Sequence, residues 1–201
     1  MNDLYRTIAK ASEGLYKEKG SKFLAMAYPV SSQEEISQRL AELRKKYHDA
    51  RHHCYAWRLG PEKTEYRVND DGEPSGSAGK PIFGQIQSRD LSDVLIVVIR
   101  YFGGTLLGVG GLIRAYRAAA SDALDRNQVI ERKVYDRMKV DFSYDRMNAV
   151  MKMIKDFELE FEDQHFDLDC SLSLRVWKRK SEKVMLGFSK IEGCKIALIE
   201  E

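Results

Sequence analysis

A chain of 201 residues, 43% hydrophobic and 32% charged, has room for one large domain or two small ones and the balance of a globular protein. No apolar run approaches the roughly 20 residues that cross a bilayer, and MNDLYRTIAKASEG has no signal-peptide core, so the expectation is a cytoplasmic protein with no membrane partner. A net charge of +2 predicts no polyanion partner by itself, but residues 1–133 carry 21 basic and 17 acidic residues (+4) against 12 and 14 (−2) in residues 134–201, which permits nucleic-acid contact by the first part.

KFLAMAYPV reads as a strand ended by Pro29 and two serines. Ser32 to Tyr47 reads as a helix, with Ile36, Leu40, Leu43 and Tyr47 on one stripe and Ser32 with Glu35 as a capping box. HHCYAWRL is a strand closed by Gly60-Pro61. Residues 69–81, NDDGEPSGSAGKP, are loop by composition, and a short helix follows at about residues 80–87. DVLIVVIRY, residues 93–101, is a nearly continuous β-branched run, the pattern of a central strand covered on both faces. After the glycines a helix is expected over residues 110–126, burying Leu112, Ile113, Tyr116, Ala119, Ala120, Ala123 and Leu124.

The tail has a cleaner rhythm. Met138, Val140 and Phe142 alternate; Met147, Val150, Met151 and Ile154 follow helical spacing. Phe157, Leu159 and Phe161 alternate, as do Phe166 through Val176. Residues 179–190 read as helix, and Cys194, Ile196 and Leu198 as a last strand. The order βαββαβ, with one apolar face per strand, predicts a ferredoxin-like layer with helices on one side. The domain boundary is placed near residues 130–135, giving domains 1–132 and 133–201.

The chemistry concentrates in YFGGTLLGVGGLIRAYR. Gly103, Gly104, Gly108, Gly110 and Gly111 fall within nine residues between a buried strand and a helix. Such a corner leaves main-chain amides open to an anion, and the helix start adds further donors. Arg100, Arg114 and Arg117 would suit phosphate, including an RNA backbone, and Tyr101 and Phe102 would add stacking surfaces. The same glycines equally permit a helix to pack tightly on a sheet, with the arginines paired to Asp122, Asp125 or the DDGE loop. The spacing is neither a Walker A loop nor a complete dinucleotide fingerprint.

The second loop, Asp70, Asp71, Gly72 and Glu73, offers carboxylates that an Asx-type turn already explains. His52 and Cys54 would share a strand face, but their spacing with these acids fits no standard zinc pattern, and no metal or cofactor is expected. Cys54, Cys170 and Cys194 read as buried free thiols. The KRKSEK patch, residues 178–183, reads as a solvated helix start.

RHHCYAWRLG (51–60), NDDGEPSGSAGKP (69–81) and VVIRYFGGTLLGVGGLIRAY (97–116) together resemble the IMPACT / YigZ family, over about residues 15–127. The resemblance implies an α+β protein (an α/β sandwich): a ribosomal-protein S-five domain-two-like first domain, then a ferredoxin-like second domain similar to domains of elongation factor G. It places the family signature on Asp70, Asp71, Gly72, Glu73 and Pro74, and on Arg100 to Gly104, Gly108, Gly110, Gly111, Arg114 and Tyr116, with no agreed catalytic role. The resemblance implies a translation-regulatory protein as partner from the eukaryotic relatives, which bind the activator of a translation-initiation kinase, and RNA or a ribosome from the bacterial relatives. The leading expectation is a non-enzymatic, translation-associated RNA- or ribosome-binding protein. The alternatives are an enzyme acting on a phosphorylated small molecule or peptide, and a protein-interaction adaptor.

Overall fold

DVLIVVIRY does lie at the centre of a sheet with cores on both faces. The computed structural model describes residues 3–199, and the chain divides into two compact units, residues 5–132 and residues 133–199 with residues 3 and 4. The elements of the first are β1 (Leu4–Ile8), β2 (Ser12–Glu18), β3 (Ser21–Pro29), α1 (Gln33–Lys46), β4 (His52–Leu59), β5 (Glu65–Asn69), α2 (Gly79–Ser88), β6 (Val94–Tyr101), α3 (Gly108–Asp125) and β7 (Val129–Lys133). Five strands form one sheet in the order β2-β3-β6-β4-β5, every neighbouring pair antiparallel. β1 and β7 pair separately.

Residues Val94 to Arg100 of β6 are all buried. Val94, Ile96 and Val98 join the core with Ile82 and Ile86 of α2 and the alanine-rich face of α3. Leu95, Val97 and Ile99 join Ile36 and Leu43 of α1 on the other side. A strand with two buried faces needs apolar side chains at every position, so its period of two disappears. Each such side chain contributes roughly 1.5–3 kcal/mol on burial.

The α1 cap is read correctly in kind: Ser32 Oγ accepts from the Glu35 amide, while the Glu35 carboxylate reaches back to the amide of Ser31. α2 and α3 begin one or two residues earlier than their spacing predicts. β3 is the strand expected at KFLAMAYPV, whereas β2, β5, β1 and β7 carry no clear periodic signal. In the hairpin, Lys19 (φ 45°) and Gly20 (φ 78°) form a two-residue turn with both φ positive, so lysine stands where asparagine is usual.

The second unit runs β8 (Tyr135–Ser143), α4 (Met147–Phe157), β9 (Glu160–His165), β10 (Asp169–Trp177), α5 (Ser181–Ser189) and β11 (Lys195–Leu198). Its sheet order is β11-β8-β10-β9, all antiparallel, the ferredoxin-like arrangement. Met138, Val140, Phe142, Cys170, Leu172, Leu174 and Val176 point to one face, where Val150, Ile154, Val184 and Phe188 of the two helices cover them. Two strand limits differ from the alternation. Phe157 ends α4, where Glu158 turns left-handed (φ 54°), and β9 starts at Glu160. Phe166 and Leu168 lie before β10 and are 44% and 82% exposed; the alternation runs on through a turn that buries nothing.

Candidate functional site

The sequence signature converges on one buried network. Loop residue Asp70 accepts hydrogen bonds from the amides of Gly76 (2.8 Å), Ala78 (3.0 Å) and Gly79 (2.8 Å). Burial alone would raise its carboxyl; these three donors hold it below the ordinary aspartate value. Asp71 accepts from the His53 amide at 2.7 Å, and its carbonyl oxygen lies 2.8 Å from His52 Nδ1. Glu73, with a side chain only 4% exposed, accepts from Arg100 Nη1 and from the Tyr116 hydroxyl, both at 2.7 Å. Cys54 Sγ lies 3.3 Å from that hydroxyl and 3.0 Å from the Asp70 carbonyl oxygen. Burial pushes the Cys54 thiol up and, with Cys54 and Glu73 adding to it, the Tyr116 phenol further still. Both shifts favour the protonated forms.

This corrects the expectation for Arg100. Its side chain is 7% exposed, clamped to Glu73 and lying 5.6 Å from the ring centres of Phe23 and Phe102. A guanidinium already paired in the interior does not meet a phosphate in solvent. The second loop likewise does not present its acids outward: Asp70, Asp71 and Glu73 tie β4, β6, α2 and α3 together. Gly72 is exposed and packs near His52.

The glycine corner divides into a sealed part and an open part. Gly103 is sealed. A Cβ there would stand 1.9 Å from the Gly20 carbonyl carbon and 2.1 Å from the Ser21 amide nitrogen, and its own amide donates to Ser21 Oγ at 3.1 Å. Gly111 is buried, against the side chain of Leu107. Gly104 (φ 83°) and Gly108 (φ 68°) have open space where a Cβ would be, and Gly108, Val109 and Gly110 are exposed. These three residues open α3, whose N-cap Leu107 provides no side-chain cap. The first-turn amides of a helix have no intrahelical acceptor and carry the positive end of its dipole.

Around this open end lie Phe102 (54% exposed), Leu106 (83%) and Arg114, whose side chain is 68% exposed and 3.7 Å from Glu18. Tyr101 is partly exposed and donates its hydroxyl to Asp49 at 2.8 Å. Burial, then Asp49, raises its phenol. Phe102 and Tyr101 border a groove of about 500 Å³ with Leu15, Lys17, Gly20 and Lys22. Arg117 is exposed and faces a different hollow, of about 480 Å³, with Gly76, Lys80 and Ile113. The structure therefore groups Phe102, Gly104, Gly108, Gly110 and Arg114, sets Arg117 aside with Lys80, and removes Arg100 to the interior. Lys17, Lys22 and Lys80 were missed. The KEKGSK string held the signal for the first two, since cations on both arms of a tight hairpin project beside the neighbouring strand.

A five-stranded antiparallel sheet, with a loop clamped to it by a buried ion pair and an open helix start after its central strand, joined in sequence to a ferredoxin-like unit, defines a two-unit α+β protein. The Impact N-terminal domain matches residues 19–124, and the chain belongs to the IMPACT family. It is 33% identical over 162 residues to the IMPACT family member YvyE of Bacillus subtilis (strain 168), covering 81% of this chain and 75% of that protein. To an IMPACT family member of Haemophilus influenzae it is 32% identical over 176 residues, 85% and 82% of the two chains. The Protein IMPACT homolog of Saccharomyces cerevisiae is 35% identical over 96 residues, but that match spans only 36% of the yeast protein. A crystal structure of a hypothetical protein superposes with a TM-score of 0.81 over the whole of both chains at 24% identity, which shows the fold. Among the described residues no helix is long and apolar enough to cross a membrane.

Proposed function

We propose that the chain is a non-enzymatic RNA-binding protein acting with the translation machinery, and that the open start of α3 holds RNA phosphate. The observation that carries the reading is the exposed, uncapped first turn at Gly108–Gly110, beside the cation Arg114. Backbone amides at a helix start suit a phosphate oxygen. Lys17 and Lys22 line a groove with Tyr101 and Phe102 at the end of the same strands, on the sheet face that α1 covers, the mixture of cations and aromatic rings that single-stranded nucleic acid uses. The translational setting rests on the family resemblance.

Binding of a labelled oligoribonucleotide at rising salt tests the reading. Each phosphate contact contributes roughly −0.7 to the slope of log affinity against log salt for single strands. Arg114→Ala with Lys22→Ala should weaken binding and flatten that slope by about one to two; affinity indifferent to both salt and substitution would overturn the proposal. A second reading, a protein-docking corner, is favoured by one observation: Leu106 and Val109 are 83% and 52% exposed. It predicts capture of a protein partner that survives high salt and fails on Leu106→Asp.

A further inference from the structure

The sheet of the second unit has helices on one face only, and its other face carries a cluster the reading above does not use. Tyr135 and Trp177 are register partners on β8 and β10, the two central strands. Because Met138 and Val176 point inward, Tyr135, Arg137, Arg175 and Trp177 share the uncovered face. Directly opposed side chains of an antiparallel pair stand about 4.5–5.5 Å apart at Cβ, so the two residues hold neighbouring positions on this face. Ser173 and Ser171, next outward along β10, are small and leave the face beside the rings low.

Cations lie on these rings. The Arg175 guanidinium carbon is 4.0 Å from the Tyr135 ring centre, Lys133 Nζ is 4.7 Å from that of Trp177, and the Arg179 guanidinium carbon 5.7 Å from the same ring. Further along the face, Arg137 pairs with Glu162 and Lys139 with Asp141. Among the described residues, Lys133, Arg175 and Arg179 have no carboxylate within ion-pair distance, though Glu160 on β9 is the register partner of Arg175. These cations thus sit on exposed Tyr135 and half-buried Trp177. Trp177 is held in place by donating Nε1–H to the Asp3 carbonyl oxygen at 3.2 Å.

We infer that this face is a platform for single-stranded RNA. Phosphates meet Lys133 and Arg179, and an unstacked base lies on the guanidinium plane that Arg175 holds over Tyr135. Guanidinium planes and aromatic rings on an open four-stranded sheet are what unpaired bases stack on. An acidic peptide would satisfy the cations but give the rings nothing to stack, and in a duplex the bases are already stacked on one another. The platform is built from its own side chains and does not depend on the α3 corner.

The chain has two tryptophans, and Trp57 is buried at 6% exposure, so Trp177 is the accessible reporter. The test titrates the full chain with a 12-nucleotide oligouridylate and follows tryptophan fluorescence, with Trp57→Phe isolating the signal where that variant melts like wild type. The expected result is a saturable quench that weakens with salt. Arg175→Gln and Tyr135→Ala, both at exposed positions, should each weaken it about ten-fold. The inference is overturned if no quench occurs, if both platform variants bind like wild type, or if polyglutamate of equal length binds as tightly. Loss of the corner's binding with the quench intact would sink the α3 reading alone.

Discussion

α2 and α3 start alike and end their accounts differently. Both rise from a loop, and neither N-cap residue, Ala78 or Leu107, caps its helix with its own side chain. At α2 the missing anion comes from elsewhere in the chain: the Asp70 carboxylate sits on the amides of Gly76, Ala78 and Gly79. At α3 the described residues supply no side-chain cap, and the first turn faces solvent. A helix start filled by an internal carboxylate is part of the scaffold. One left open, in the same unit and with Arg114 beside it, is the start that the proposed RNA phosphate would meet. The fold thus contains its own control for the binding claim.

Breaking the clamp that holds the filled end has the largest expected effect. Glu73→Ala leaves Arg100 charged, buried and unpaired, and should cost about 3–5 kcal/mol. At about 2–4 °C per kcal/mol for a chain of this size, thermal unfolding should show it plainly. A variant that melts like wild type would mean that the pair is not what fixes the loop.

Opening the filled end should cost less. Asp70→Gly strips three amides of a charged acceptor, worth about 1.5–3 kcal/mol. It also turns the start of α2 into a copy of the start of α3, so millimolar phosphate should restore part of the lost stability in this variant more than it stabilises wild type. Absence of any phosphate effect would undercut the comparison. Filling the open end is smaller again. Val109→Glu puts a carboxylate into the first turn of α3, where it should stabilise by about 0.3–1 kcal/mol while weakening RNA binding several-fold. A variant both more stable and unimpaired in binding would separate the helix start from the function.

The smallest effect is on pH. Burial holds His53 below the ordinary histidine value, against the pull of Asp71 3.9 Å away. A depressed folded value means that the unfolded chain binds the proton first, so stability present above about pH 6.5 declines as the pH falls toward the folded value. His53→Gln should flatten that slope in melts between pH 7.5 and 5.5.

Much of the scaffold was readable because its signals are local. β6 announced two covered faces through an unbroken β-branched run, and the alternation of β8 and β10 announced one. β2 and its turn into β3 were not, since in β2 the apolar Leu15 faces solvent while Gly14 is buried, and the turn uses lysine. Arg100 shows the harder limit. A cation at a strand end before glycines looks the same whether it awaits a ligand or Glu73, which lies 27 residues earlier in the chain. The two halves of the glycine run were equally alike in sequence. Gly103 is needed because the turn at Gly20 presses against it, whereas Gly104 and Gly108 are needed for their backbone angles. Only the chain's return path separates them.

Amide shifts in an NMR titration with oligouridylate, read residue by residue, test the comparison most directly. The account predicts that the amides of Gly104, Gly108, Val109 and Gly110 move as RNA is added, while those of Gly76, Ala78 and Gly79 under Asp70 stay in place. Still signals at the start of α3, with RNA bound, would contradict it.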